Sequence, residues 1–331
     1  MKHSLSLVVA TKDRPDDLRA MLKSLQIQTV LPAEVILVDA SIDPIESILK
    51  EFPSLPMLYL HHSTPSAAAQ RNSGILACSP NATLIGFADD DIIFEPDAVE
   101  RLMCFWDTAG TDTLGAAFNL RNYPQRGSSF LKSSRIAESL GLYSQRHGRV
   151  APSGWQTVIP ELSETEFVDW LPTTAVSFRK EAFDLGLFDD FYESYSYLED
   201  LDLSYTISRS GRLAVVAGAG YSHFPSPSGR VTATQFGHYE VRNRIHFVRK
   251  HKLSLSRCYL GLAIRLVMSV GNGCLHMDRS QLERAIGNLL ELTLGFSRSR
   301  SAVSQQNLRS RTLSSLPPVY PSGDNLPPKE S

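Results

Sequence analysis

The stretch that most limits this chain is Leu84-Ile85-Gly86-Phe87-Ala88-Asp89-Asp90-Asp91. It starts as a short apolar run, the pattern of a strand buried on both faces. It ends in three consecutive carboxylates, whose mutual repulsion demands solvent or a cation. Asp89 and Asp91 alternate along an extended chain, so both can point to one side. Oxygen ligands placed that way suit Mg²⁺ or Mn²⁺ shared with phosphate groups. Taken alone, the cluster reads more simply as a polar loop that caps a strand and leads into a helix at Pro96.

The surrounding sequence gives the cluster a frame. Leu5–Ala10 reads as a strand, and Pro15 then opens a helix with Leu18, Met21, Leu22 and Leu25 on one face. Val35–Val38 and Met57–Leu60 read as further strands, with a short helix from Pro44 between them. Pro65–Ala77 is a small-residue helix carrying Gln70-Arg71-Asn72, and a helix over 96–106 follows the acidic strand. This alternation predicts a parallel, doubly wound sheet. Such sheets bind ligands at the carboxyl ends of their strands, and Thr11, Asp39 and the Asp89 cluster all fall there.

The first turn, Ala10-Thr11-Lys12-Asp13-Arg14, is no G-x-G-x-x-G, and no P-loop occurs anywhere. That excludes the dinucleotide-binding and P-loop classes. Phosphatases with a D-x-D nucleophile normally carry it after the first strand, whereas this cluster follows the fourth. A net charge of −2 argues against a general nucleic-acid binder. Cys78, Cys104, Cys258 and Cys274 form no C-x-x-C, so neither a zinc site nor a disulfide framework is expected, and a reducing cytoplasm fits best. Met1-Lys2-His3 leads straight into a strand, leaving no room for a signal peptide. Cys258–Val270, interrupted by Arg265, reads as too short to cross a bilayer.

The pattern weakens over 113–160. A strand at Leu114–Phe118 is followed by loops around Gly127 and over Gly148–Gly154, a candidate substrate lid. Order returns at Phe167–Phe178, with a helix-like Arg179–Leu185 next. Leu201, Tyr205 and Ser208 share a helical face, which puts Glu199 and Asp200 at a helix start. Helix-dipole stabilisation is one reason for acidic residues there. Leu213–Ala217 reads as a strand, with His223 in the loop beyond it.

Taken in order, Val9–Pro15, Val38–Ser41, Arg71–Gly74, Asp89–Asp91, Asp169-Trp170 and Glu199–Leu203 resemble the family 2 glycosyltransferases. The resemblance covers roughly the first 250 residues; at Ala40–Asp43 members often carry a longer Ser/Thr/Asp turn. Tyr239–Arg244 is similar to a segment of bacterial members that build surface polysaccharides. The resemblance implies an α/β GT-A fold, with a doubly wound, mostly parallel mixed sheet and flanking helices. It implies an inverting, metal-dependent transfer from a nucleoside diphosphate sugar to a hydroxyl of a glycan or lipid-linked acceptor.

In that scheme Asp200, or its neighbour Glu199, takes the acceptor proton. Asp91 binds Mg²⁺ or Mn²⁺, with Asp89 and His223 as further ligands, although a loop histidine without such a role fits His223 equally. Thr11 and Asp39 hold base and ribose, and Arg71, Asp89 and Asp90 lie along the ribose and diphosphate. Asp39 is otherwise a turn residue, Arg71 a solvated helix charge and Trp170 a core residue rather than a sugar wall. The alternative function is a catalytically inactive sugar-nucleotide-binding or scaffold protein of this fold. A nucleotidyltransferase would need a Gly-rich, Arg-containing loop after the first strand, which is missing.

From Val241 to Met277 there is no acidic residue but Arg242, Arg244, Arg249, Lys250, Lys252, Arg257 and Arg265. Such a segment lies either on an anionic membrane or in solvent, so the expected location is cytoplasmic, with possible contact at the inner membrane face. The expected organisation is a GT-A domain over 1–255, a helical extension over 256–296 and a disordered tail over 297–331.

Overall fold

A computed structural model describes residues 2–63, 65–123, 134–193, 196–226 and 231–294. The expected tail, the Gly127 loop and the last two residues of the expected final helix lie outside the described residues. The first half alternates as its apolar runs dictate: β1 (Leu5–Thr11), α1 (Pro15–Gln26), β2 (Glu34–Asp39), β3 (Met57–His61), α2 (Ala67–Ala77), β4 (Leu84–Asp89), β5 (Ile92–Phe94) and α3 (Ala98–Thr108). β1, β2 and β4 are buried over almost their whole length. Helix α1 has Pro15 in its first turn and lays Leu18, Met21, Leu22 and Leu25 against the sheet, all fully buried. Each such side chain contributes about 1.5–3 kcal/mol on burial.

Helix α2 is rich in small residues because it lies almost on the sheet. A Cβ on Gly74 would sit 2.2 Å from Val8 Cγ1. The Ser66 hydroxyl caps this helix by accepting from Ala69 N.

The second half adds β6 (Thr113–Leu120), α4 (Arg135–Ser139), β7 (Glu166–Val168), β8 (Ala175–Arg179), α5 (Glu199–Ser208), β9 (Arg212–His223), α6 (Ala233–Lys250) and α7 (Leu255–Leu275), and residues 279–294 form a further helix. The nine strands are ordered β3-β2-β1-β4-β8-β6-β9-β5, with β7 also on β9. The sheet is therefore mixed, not the parallel sheet that alternation alone predicts. β8 runs antiparallel to both β4 and β6, and β5 and β7 run antiparallel to β9. The other six strands share one direction. Two apolar layers cover the two faces of the sheet, and a third cluster joins α5, α6 and α7 through Leu201, Phe247 and Leu262.

The ordered run Phe167–Phe178 holds parts of two strands separated by a loop, with Pro172 between them. Two sequence expectations need correction. The strand expected to end at Ala217 continues to His223, so His223 is a strand residue and not a loop residue. Its register on β6 jumps from Phe118–Val216 to Asn119–Gly220, and the Asn119 amide binds the carbonyls of Leu162 and Ala217 at 2.8 and 2.9 Å. Finally, Cys258–Val270 is the centre of a helix of 21 residues that is long and apolar enough to cross a membrane. Arg265 does not end it.

Helices α6 and 279–294 cross at two glycines. A Cβ on Gly287 would lie 2.0 Å from the Thr234 carbonyl oxygen, and one on Gly237 would lie 2.2 Å from the Arg284 carbonyl oxygen.

Candidate active site

The carboxyl ends of β1, β2 and β4 form one rim, and β4 ends in the acidic turn. Residues Asp90 and Asp91 make the turn into β5, which pairs Ile92 with His223 on β9. This pairing is what brings His223 to the cluster. His223 Nε2 lies 3.0 Å from Asp91 Oδ1, and Asp91 Oδ2 accepts from Ser226 N at 3.0 Å. Burial would raise the Asp91 carboxyl, but the His223 and Ser226 bonds outweigh it and hold it low. Burial would lower the His223 imidazole, and Asp91 more than reverses that.

One ligand atom each from Asp89, Asp91 and His223 falls within 4.8 Å of the others. Two carboxylates and an imidazole converging on one point fit a divalent cation. The carboxylates suit Mg²⁺ or Mn²⁺, and the imidazole favours Mn²⁺ of the two.

Asp90 turns the other way. It is buried, accepts from the Thr11 hydroxyl at 2.7 Å and meets Arg14 at 3.2 Å. Burial pushes its carboxyl up to about 6 against those two partners. Thr11 and Asp90 are thus committed to each other within the rim. Asp39 is fully buried and accepts from Ser41 N, Ile45 N and the Tyr59 hydroxyl at 2.8, 3.0 and 2.7 Å. Burial would raise it, but these bonds hold it below the usual range. Its turn-forming role is therefore visible in the structure.

Arg71 is not a solvated charge. It is buried, and its guanidinium donates to Asp89 at 2.9 Å and to Glu199 at 2.8 Å. It thereby ties the cation cluster to the first turn of α5. That turn is entered through Leu198 in a left-handed conformation, φ 77°. A left-handed bulky residue is strained, and such strain gathers at functional sites.

Glu199 and Asp200 begin α5, as the helical face predicts. Burial raises both carboxyls, and Asp200 further raises that of Glu199. The Arg71 bond only partly offsets this at Glu199, which is pushed up to about 8, while Asp200 is pushed up to about 6, so the two neighbouring carboxyls titrate together. Asp200 Oδ1 accepts from Leu201 N at 2.7 Å.

Beyond His223 the rim opens into a cavity of about 450 Å³ lined by Trp170, Trp155, Tyr197 and residues of α6 and α7. Trp170 is half-buried and donates to the Thr157 carbonyl at 3.0 Å, with part of its ring on the cavity. The basic segment is divided: Arg249, Lys252 and Arg257 are exposed, while others are held by partners or buried. Lys250 binds Asp189 and Asp202 at 2.8 and 2.6 Å, Arg265 faces Glu240 at 3.4 Å, and Arg244 is buried. Lys250 and Arg265 thus balance carboxylates from other elements, which a one-dimensional charge count does not reveal.

A mixed sheet whose central strand ends in an acidic turn, faced by an acidic helix start, matches the architecture of the GT-A fold. Residues 6–157 match the family described as glycosyl transferase family 2. Two Bacillus subtilis (strain 168) proteins named as glycosyltransferases are similar to this chain. YwdF, named uncharacterized, is 28% identical over 106 residues, and EpsH is 33% identical over 113. The matched stretches cover about a third of this chain (32% and 33%) and 39% and 31% of those relatives.

Among solved structures, S. aureus TarS 1–349 in complex with UDP-GlcNAc superposes with a TM-score of 0.53 at 15% identity. It covers 86% of this chain and 79% of TarS 1–349. GalNAc-T7 with UDP, GalNAc and Mn²⁺ gives 0.51 at 14% identity, covering 75% and 48%. Likeness at these identities establishes the fold.

Proposed function

We propose that this chain is an inverting, divalent-cation-dependent glycosyltransferase. It moves a sugar from a nucleoside diphosphate sugar to a hydroxyl of a glycan or lipid-linked acceptor. The observation that carries this reading is the pairing of two acidic sites across Arg71. On one side is a cluster of three candidate cation ligands, and on the other a half-buried carboxyl, Asp200, raised to about 6. A general base is most effective when its pKa lies near the working pH. The GT-A neighbours hold UDP, a UDP-sugar and Mn²⁺, which supports a nucleotide-sugar donor here.

Asp89, Asp91 and His223 would hold the cation, which supplies charge neutralisation for the departing diphosphate. Asp200 receives the acceptor hydroxyl proton as that oxygen attacks the anomeric carbon from the face opposite the diphosphate. Arg71 fixes Glu199 and so keeps Asp200 in place. Thr11, Asp90 and Asp39 shape the rim that faces base and ribose. The apolar face of α7, with Val267 and Leu275 exposed, supports contact with a membrane near a lipid-linked acceptor.

The test is hydrolysis and transfer with a panel of nucleotide sugars and Mn²⁺, with and without chelator. Cation-dependent donor cleavage that rises with acceptor supports the reading. Tight donor binding with no turnover under any acceptor would instead favour the catalytically inactive binding protein.

A further inference from the structure

The cavity beyond His223 contains a charge without a counter-charge. Arg244 on α6 is 1% exposed and lines the cavity. Its guanidinium donates to the Gly154 carbonyl, to Gln156 Oε1 at 2.7 Å and towards the Tyr197 hydroxyl at 3.5 Å. All three acceptors are neutral, and its Nε has no partner. Among the described residues no carboxylate forms an ion pair with it. The one carboxylate on the cavity wall, Glu240, is taken by Arg284 at 2.6 and 2.9 Å and faces Arg265 at 3.4 Å. Arg284 and Arg265 therefore share that carboxylate, and Arg244 is left outside the pairing.

A buried charge left in this state is costly, and proteins normally pair it. Guanidinium is the group best matched to a phosphate or carboxylate, through its fork of donors. The rest of the wall is of another kind. Trp155 lies under the Arg244 guanidinium, 4.7 Å from ring centre to Cζ. Trp170, Tyr143, Ile159 and Met268 of α7 give stacking or apolar surface. His223 of the cation cluster also lines the cavity, and Tyr197 stands three residues before Asp200.

We propose that this cavity receives the acceptor, and that Arg244 pairs with a phosphate-type acidic group carried by that acceptor. The proposal rests on the glycosyltransferase reading and narrows it to an anionic acceptor with an apolar or ring-stacking body. The phosphate belongs either to a lipid-linked sugar or to a phosphate-bearing glycan free in solution. Arg244 is placed here as a binding residue and not as a ligand of the cation cluster.

The experiment is calorimetric titration of the full chain with UDP and Mn²⁺ saturating the donor site. The probes are decyl phosphate, decyl maltoside and glucose 1-phosphate, the alkyl probes below micelle-forming concentrations. A phosphate probe should bind at least tenfold more tightly than decyl maltoside. Arg244→Gln should lose at least tenfold for the phosphate probes and nothing for decyl maltoside, and Arg244→Lys should recover most of the loss. Strong binding of decyl phosphate alone assigns the lipid-linked source, whereas equal binding of glucose 1-phosphate assigns the soluble one.

Equal affinity for decyl maltoside and decyl phosphate in the unaltered chain would overturn the proposal. So would no phosphate binding at all, or an Arg244→Gln variant that binds phosphate normally. If Arg244→Gln does not fold, the comparison in the unaltered chain decides alone. UDP binding in the same preparations separates the two readings. Its loss would strike the donor site, whereas intact UDP binding with a charge-blind cavity sinks only this inference.

Discussion

Replacing Asp200 by Asn should make the protein more stable and nearly inactive, a combination that few other roles for this residue would give. The variant keeps the size of the side chain and the acceptor oxygen that receives Leu201 N. It removes a negative charge from a half-buried site beside Glu199. Burial raises this carboxyl from 3.8 to about 6, so at pH 8 the folded state carries a charge it holds at a cost. Two units at 1.36 kcal/mol each give an upper bound of about 3 kcal/mol, and partial exposure reduces it to about 1–3 kcal/mol. The folded pKa lies above the unfolded one, so the folded state binds the proton more tightly. The unaltered protein therefore loses this stability as pH rises from 4 through 6.

Urea unfolding of the two proteins should accordingly give equal stability at pH 4 and a more stable variant at pH 8. Acceptor-dependent turnover should fall about 10²- to 10⁴-fold, the usual contribution of a general base. UDP affinity should change little. Glu199→Gln is the necessary companion. It breaks a buried bond to Arg71 and should destabilise, by about 3–5 kcal/mol if the pair is fully ionised. An Asp200→Asn variant with normal turnover would refute the base assignment. One that is less stable at pH 8 would show instead a favourable helix-start charge, worth about 0.3–1 kcal/mol.

Asp91→Asn should abolish the activation of donor cleavage by Mn²⁺ and weaken cation-dependent UDP binding, read by calorimetry with and without chelator; unchanged Mn²⁺ dependence would remove Asp91 from the cation site. Arg71→Met should destabilise by about 3–5 kcal/mol, because it strips the shared partner from Asp89 and Glu199; a melting point within a degree of the parent would contradict the bridge. Gly287→Ala should cost about 1–3 kcal/mol by overpacking, since the new methyl meets the Thr234 carbonyl rather than a movable side chain. Hydrogen exchange should then speed up over residues 279–294 before the sheet; uniform exchange would show that this helix does not depend on the crossing.

The strands of the first half were legible because each is a continuous apolar run between turn residues. β5 was not, since its three residues follow the acidic turn with no break in the pattern. β9 was cut short at the register jump, where Gly218 and Gly220 look like a strand end. The antiparallel insertion of β8 leaves no local mark at all, because pairing partners are set by the sheet and not by the run itself.

The acidic residues of the site stood out as charges at strand and helix ends. Their partners did not. Arg71 reaches Glu199 across 128 positions and Arg244 reaches Gly154 across 90, so both roles exist only in three dimensions. A buried Arg inside a basic segment had one faint sequence signal. Val241, Phe247 and Val248 stand at helical spacing around it and mark the buried face of α6.

The Arg71 bridge couples acidic groups that stand on different elements. Asp89 is among the charges that raise the Asp200 carboxyl, and Arg71 is among those that lower it. A change of charge at Asp89, by protonation or by a bound ion, therefore changes how readily Asp200 holds its proton. By linkage, the proton on Asp200 changes the affinity at Asp89 to the same degree. One guanidinium with two carboxylate partners thus gives the ends of β4 and α5 a common response to charge.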